Sequence, residues 1–417
     1  MASHCLNAFS RPGSILTLVS ALALASAPSR AETVDSPANH IILMDAQSGD
    51  ILIDKDGETQ MPPASMSKLM TLEIIFHDLK TGKLKMDDTF PVSEKAWAMK
   101  KAGTDQGEGS LMYVGINDNI KVSDLLRGII VDSGNDACVV AAEGLAGSDE
   151  DFAKMMNKRA KELGLTGSHF VNSYGWPDPE EYVTARDLAV LAHHIINEYP
   201  EYYKIFSERE FTWEKIHQYN RDPLLGVMDG ADGLKTGHTE ASGYGLVASA
   251  TRDGRRLILV VNGLTSQAQR KSESMRLLQY GFRNFDTYKL LQANQVVAAA
   301  QVYGGTKSEV PLVVQTEVTK LMSRDARENM KVTVDYNAPL KAPIRAGVEV
   351  GKLTISIPGS PPTVLPVYTA DSIGGMSPFQ AMGAGLQHLF FGAMGPDAVS
   401  SPLKGKKHEE SGKKAGT

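Results

Sequence analysis

Apolar and polar positions alternate between two kinds of spacing along this chain. Two short apolar runs, Ile41 to Met44 and Ile51 to Asp54, flank the turn-forming stretch Gln47-Ser48-Gly49-Asp50 and predict an antiparallel hairpin. After Pro62-Pro63, the segment Ser65 to Leu79 predicts a helix. Its Leu69, Met70, Leu72, Ile74, Ile75 and Phe76 leave no wide polar face, so it belongs at the centre of a domain. Further helices are predicted over Val122 to Val131 and Asp136 to Leu145, with a break at Ser133-Gly134-Asn135, and then around Phe152 to Leu163 and Ala185 to Asn197. A strand opens at Leu234, another runs from Tyr244 to Thr251, and Arg252-Asp253-Gly254-Arg255 turns into Arg256 to Val261. A helix from about Gln267 to Phe285 closes the unit. Strands at both ends with helices between them predict one antiparallel sheet flanked by helices, an α+β domain over residues 32–287.

Beyond Tyr288 the texture changes to short strands parted by Gly and Pro, which predicts a small all-β domain over 288–372. Then Phe379, Met382, Leu386, Leu389, Phe390 and Ala393 follow helical spacing, so 373–395 reads as an amphipathic helix suited to a membrane surface. It is too short and too interrupted to span a bilayer. Residues 396–417 read as a disordered polar tail.

At the other end, Arg11 precedes an apolar run from Ile15 to Ala25, and small-residue sites follow at Ala25-Ser26-Ala27 and Ser29-Arg30-Ala31. Residues 1–31 are read as a signal peptide, which places the protein outside the cytoplasm. Cys5 falls in that segment, so the mature chain keeps only Cys138 and no internal disulfide is expected. Cys138 reads as a small buried hydrophobe. With 417 residues, 42% hydrophobic and 22% charged, the chain can build a large core, and its net charge of -6 argues against a nucleic-acid partner.

Three strings carry candidate chemistry: Ser65-Met66-Ser67-Lys68, Ser133-Gly134-Asn135 and Lys235-Thr236-Gly237. A Ser-x-x-Lys alone should arise by chance about once or twice in such a chain. Ser401 with Lys404 and Ser411 with Lys414 also match, but in the polar tail, where nothing fixes geometry. Lys80-Thr81-Gly82 repeats the third string at a helix end, where Gly82 reads as a C-cap and Lys80 as a last-turn cation. The remaining set has consistent placement. Ser65 at a helix start shares a face with Lys68, and a lysine can serve as base if burial or a neighbouring cation, here Lys235, lowers its pKa. The Ser65 N–H at the helix terminus can help bind an oxyanion. Ser133 can relay a proton, Asn135 can bond a substrate backbone, and Lys235 with Thr236 supplies a cation and a hydroxyl. Gly237 lets a ligand lie close to a strand edge.

The longer strings Pro63-Ala64-Ser65-Met66-Ser67-Lys68-Leu69-Met70-Thr71, Ser133 to Cys138 and Lys235-Thr236-Gly237-His238-Thr239 resemble the low-molecular-mass D-alanyl-D-alanine carboxypeptidases of the penicillin-binding protein 5 and 6 type. Gly164-Leu165, His169-Phe170, Ala185-Arg186-Asp187 and Asn220-Arg221 are also similar, and the resemblance runs from about residue 38 to 370. It implies a β-lactamase/transpeptidase-like catalytic domain that attacks the bond between the two terminal D-alanines of a peptidoglycan stem peptide. Ser65 would be the nucleophile and Lys68 its base. Ser133 would return the proton to departing D-alanine, and Asn135 would align the peptide. The N–H groups of Ser65 and His238 would hold the oxyanion, while Lys235, Thr236 and Arg221 would bind the terminal carboxylate. β-Lactam inhibitors should trap Ser65, no metal or organic cofactor is implied, and the location would be periplasmic on the outer face of the cytoplasmic membrane. Two alternatives stay open: a β-lactamase, although the acidic run Asp178, Glu180 and Glu181 lacks that family's Glu-x-Leu-Asn form, and a catalytically weak wall-binding protein.

Overall fold

The structure, a computed structural model, describes residues 34–106, 109–358 and 362–377. The expected signal segment and the helical spacing from Phe379 onward lie outside the described residues.

The chain opens with the hairpin β1 (His40–Asp45) and β2 (Ile51–Lys55), then a 3₁₀ turn at Ala64–Ser67 that runs directly into α1 (Lys68–Lys80). A small hairpin, β3 (Thr89–Pro91) with β4 (Asn119–Lys121), brackets α2 (Glu94–Gln106). The helical layer continues with α3 (Val122–Ile130), α4 (Asn135–Ala146), α5 (Asp149–Glu162), α6 (Ala185–Glu198) and the short α7 (Pro200–Tyr203). A second small hairpin, β5 (Glu210–Trp213) with β6 (Ile216–Tyr219), precedes the long strands β7 (Ala231–Thr239), β8 (Gly243–Arg252) and β9 (Arg255–Leu264). Helix α8 (Gln267–Asn284) follows.

The main sheet is antiparallel throughout in the order β2-β1-β9-β8-β7, so the opening and closing strands of this unit pair and β7 is left as an edge. Both faces are covered, and the period of two in the strands sorts their side chains. Ile41, Leu43, Leu257 and Leu259 pack with Leu277 and Leu278 of α8, whereas Ile42, Met44, Ile258 and Val260 face the helical layer. Within that layer α1 is buried from Lys68 to Phe76, as its lack of a polar face predicts.

Caps set the helix ends. Ser148, Thr184 and Ser266 accept N–H groups three residues on, starting α5, α6 and α8. Gly82 adopts φ +74 after α1, and Lys80 pairs with Glu198 at 2.8 Å, so the second Lys-Thr-Gly string serves as the expected helix stop. The closing helix stops at Asn284, one residue before its expected end, because Phe285 begins β10 (Phe285–Leu291).

The second unit holds β11 (Val296–Tyr303), β12 (Glu309–Val313), β13 (Val318–Ser323), the one-turn helix α9 (Arg324–Glu328), β14 (Lys331–Tyr336), β15 (Leu340–Lys341), β16 (Glu349–Ser356) and β17 (Thr363–Thr369). Six of these form one sheet in the order β14-β16-β17-β12-β11-β15, and β10 pairs with β13. Val310, Leu312, Leu353, Ile355, Val367 and Ile373 make its core. Ile373 bridges to Ile344 in this unit. Among the described residues no helix is long and apolar enough to cross a membrane.

Candidate active site

The nucleophile candidate sits where 3₁₀ geometry passes into α1. A 3₁₀ turn has about three residues per turn, so residues three apart stand one above the other, closer in register than the plain helix start the sequence suggests. Lys68 accordingly places Nζ 2.8 Å from Ser65 Oγ. The turn opens at Ala64, whose φ of +48 is rare for a residue with a Cβ. Gly175 (φ +77) packs against it, and a Cβ there would collide with the Ala64 carbonyl and the Ser67 hydroxyl.

Lys68 is wholly buried, and its Nζ also contacts Asn135 Oδ1 at 2.7 Å and the Tyr174 carbonyl at 2.6 Å. Both are acceptors only. A neutral amine can donate its two hydrogens to them and keep its lone pair for the Ser65 hydroxyl. Burial lowers the Lys68 pKa to about 8 and Arg221 adds to this, while Cys138, Glu181 and Asp136 push the other way; the repulsion between Lys68 and Lys235 is expressed at Lys235. Desolvation dominates because α1 runs through the core.

The second string forms the turn between α3 and α4. Ser133 adopts φ +59, and Gly134 has no room for a Cβ, which would lie 2.9 Å from the Met112 nitrogen. Asp136 fixes this turn by accepting the N–H groups of Met112, Tyr113 and Val114. Ser133 Oγ receives a hydrogen bond from Lys235 at 2.8 Å, so it is held by the third string, not by Lys68.

That third string lies on the edge strand β7. Lys235 and Thr236 are buried there, and a Cβ on Gly237 would come within 2.9 Å of the Pro63 carbonyl. Lys235 is pushed well below its ordinary pKa, first by burial, then by Lys68 and Arg221. His238 stacks on Tyr244, ring centroids 3.8 Å apart. Arg221 donates from Nε to the Asp132 carbonyl at 3.0 Å.

Ser65, Ser133, Asn135, Arg221, Thr236, Gly237 and His238 therefore border one cleft of about 340 Å³, with the two lysines buried against its serines. Sequence reasoning missed the far wall, the loop that supplies Tyr174, Gly175 and Trp176, and also Arg270 on α8. It missed too the buried carboxyls Asp132 and Asp222, and read Glu181 only as part of an acidic run: burial raises Glu181 and Asp132 to about 7 and Asp222 to about 6. The Gly between two aromatics at 174–176 was the available signal.

A serine within reach of a buried lysine, on a helix covered by an antiparallel sheet, defines the serine acyltransferases. The family model for D-alanyl-D-alanine carboxypeptidase matches residues 25–266, and that for the penicillin-binding protein 5 C-terminal domain matches 285–374. The chain belongs to the D-alanyl-D-alanine carboxypeptidase family and is a peptidase. It is 38% identical over 325 residues to D-alanyl-D-alanine carboxypeptidase DacA of Haemophilus influenzae, covering 77% of this chain and 81% of the relative. Penicillin binding protein 5 from Haemophilus influenzae is similar in structure, with a TM-score of 0.63 at 37% identity over 82% of this chain and 98% of that one. Penicillin-Binding Protein D2 from Listeria monocytogenes, solved in an ampicillin-bound form, gives 0.53 at 28% identity over 60% of this chain and 99% of that one. The family resemblance and the α+β class read from the sequence both hold.

Proposed function

We propose that this protein removes the terminal D-alanine from peptidoglycan stem peptides through a Ser65 acyl-enzyme. Lys68 takes the Ser65 proton as Oγ attacks the carbonyl carbon between the two D-alanines, and the backbone N–H groups of Ser65 and His238 receive the oxyanion. The proton that Lys68 took passes through Ser133, bonded to Lys235, to the departing amine as the peptide bond breaks, which leaves Lys68 neutral to take the proton of the attacking water. Asn135 gives its oxygen to Lys68, which leaves its Nδ2 for the substrate backbone. Arg221, Lys235 and Thr236 hold the terminal carboxylate. Water then attacks the ester and releases the shortened peptide. Penicillins carry a carboxylate and a strained amide in a similar disposition, so they acylate the same oxygen. The work is done outside the cytoplasm, and the C-terminal segment from Phe379 rests on the outer face of the membrane.

The observation that carries this reading is the Lys68 amine, buried and held by two acceptor-only partners with Ser65 in its third direction. The test pairs labelling by a fluorescent penicillin with release of D-alanine from a pentapeptide. Both signals should disappear together in Ser65→Ala. Labelling that survives in that variant places the nucleophile elsewhere.

A further inference from the structure

The far wall of the cleft is tied to one carboxylate. Glu181 precedes an extended stretch fixed by its neighbours: Tyr182 exchanges backbone hydrogen bonds with His169 at 2.7 and 3.1 Å, and Val183 with Met61 at 2.8 and 3.0 Å. Its side chain is therefore aimed from a rigid backbone. Glu181 is 4% exposed, and its Oε2 accepts the N–H groups of Val171 at 3.0 Å and Asn172 at 3.2 Å together with Asn172 Nδ2 at 3.0 Å. Asn172 passes the hold along, since its Oδ1 accepts the N–H groups of Tyr174 at 3.2 Å and Trp176 at 2.9 Å. The next links reach α1: the Ser173 carbonyl accepts from Thr71 Oγ1 at 2.5 Å and the Tyr174 carbonyl from Lys68 Nζ at 2.6 Å. One buried carboxylate thus sets where the base finds an acceptor.

The other oxygen is spare. Among the described residues Glu181 Oε1 is buried with no aligned donor, and the Ser67 hydroxyl beside it is buried and unaligned as well. Leaving a carboxylate oxygen unsatisfied in the core is costly, and a positive charge that forms only during the reaction would account for it. Ser67 lies between Ser65 and Lys68 in the catalytic turn, where that charge appears. The charged groups around Lys68 leave Glu181 with the task of meeting it. From α4 come Asp136 and Cys138, from the segment after β6 Arg221, and from β7 Lys235. Burial pushes Cys138 up to about 12, so it is a neutral thiol where Lys68 titrates; Asp136 already gives its oxygens to the N–H groups of Met112, Tyr113 and Val114; Arg221 and Lys235 can contribute only positive charge. Around Glu181 itself, Asp178 and Glu180 are exposed on the same loop, and the Tyr174 phenol, pushed up to about 12 by burial, stays uncharged.

We propose that Glu181 is a positioning residue for the reaction: it holds the wall loop that carries the Tyr174 carbonyl, and it supplies the negative charge that faces Lys68 as the amine takes the Ser65 proton. The proposal rests on the reading of the cleft given above and deepens it by completing the surroundings of the base. As Ser65 Oγ bonds the carbonyl carbon, its proton moves to Lys68 Nζ. Glu181 takes no proton; its charge stabilises the ammonium that forms. The same holds when Lys68 accepts the proton of the attacking water.

The test measures the second-order rate of acylation of the full-length protein by a fluorescent penicillin from about pH 6 to 10. Glu181→Gln keeps an amide oxygen for the Val171 and Asn172 N–H groups and removes the charge. We expect its rise with pH to persist, with a midpoint about half a unit to one unit below the parent's and a plateau about two- to threefold lower, because a weaker base takes the proton less readily. At about pH 6, where Glu181 of the parent is largely protonated as well, the two rates should agree within about twofold. Glu181→Asp keeps the charge and should keep the parent's midpoint; it decides the matter alone if Glu181→Gln does not fold. A Glu181→Gln profile with the parent's midpoint, a loss of equal size at every pH, or a lowered midpoint in Glu181→Asp would overturn the role of Glu181 while leaving the carboxypeptidase reading standing. A parent protein that takes no label would instead overturn the reading of the cleft.

Discussion

Lys68 is the residue on which the chemistry turns, and its surroundings make a quantitative demand. Burial lowers its pKa from the ordinary 10.5 to about 8, which corresponds to about 3 kcal/mol against holding the proton. A base must be neutral to act, so acylation follows the deprotonated fraction. With a pKa of about 8 that fraction is about 9% at pH 7, about 50% at pH 8 and about 90% at pH 9. The second-order rate of acylation by a fluorescent penicillin should therefore rise about fivefold from pH 7 to 8 and less than twofold from pH 8 to 9. Burial raises Glu181 and Asp132 to about 7, so both are still ionising between pH 7 and 8, and the rise must persist in Glu181→Gln and Asp132→Asn to be assigned to the lysine. Lys68→Arg keeps a cation in place but cannot give up its proton, and it should slow acylation about 10²- to 10⁴-fold across the whole range. A flat profile in the parent protein, or rapid labelling of Lys68→Arg, would refute the assignment of the base.

Three further outcomes follow from the same environment. Lys235 is driven toward its neutral form by burial, Lys68 and Arg221, so a ligand carboxylate should favour its proton; calorimetry of a D-alanine-terminated peptide binding Ser65→Ala at pH 9, where Lys68 is already about 90% neutral, run in two buffers of different ionisation enthalpy, should show net proton uptake, and none would contradict this. Asp132 is buried with both carboxylate oxygens unbonded, and its pKa is raised from 3.8 to about 7, so the native state binds more protons than the unfolded state between about pH 4 and 7 and loses stability as pH climbs through that range. Asp132→Asn should thus raise the unfolding midpoint at pH 8 by about 1–2 kcal/mol in stability and leave it nearly unchanged at pH 4. Cys138 is buried and pushed up to about 12, so the native protein should resist thiol-directed alkylation at pH 8 and react only once denatured.

The strands and long helices were legible because their spacing is dictated locally. Ile41 to Met44 and Leu257 to Val261 divide between the two faces of one sheet as a period of two requires. The three strings were legible because each had a place in an element: a helix start, an interhelical turn, a strand. The wall at Tyr174 was not, since its contribution to Lys68 is a backbone carbonyl, and any residue type offers one. Nor were α2, which is polar with no clear period, and the two small hairpins, whose strands of three or four residues alternate over too short a run to stand out. Nor could spacing show which hydroxyl each lysine holds, because Lys235 meets Ser133 only when β7 closes the edge of a sheet that begins nearly two hundred residues earlier.

That closure explains why two buried lysines can share one site. Both cannot carry a charge there without a counter-ion, and in the empty cleft desolvation presses on each. On the proposed reading, a substrate carboxylate changes the balance at Lys235, which lies on the strand proposed to receive it. Once Lys235 is charged, its field disfavours a second proton on Lys68, the group that must be neutral to take one from Ser65. The carboxylate is then more than a handle for affinity: its arrival readies the base. On this argument a ligand lacking that carboxylate acylates Ser65 slowly even when it reaches the cleft, and a penicillin, which has one, meets a site already set to react.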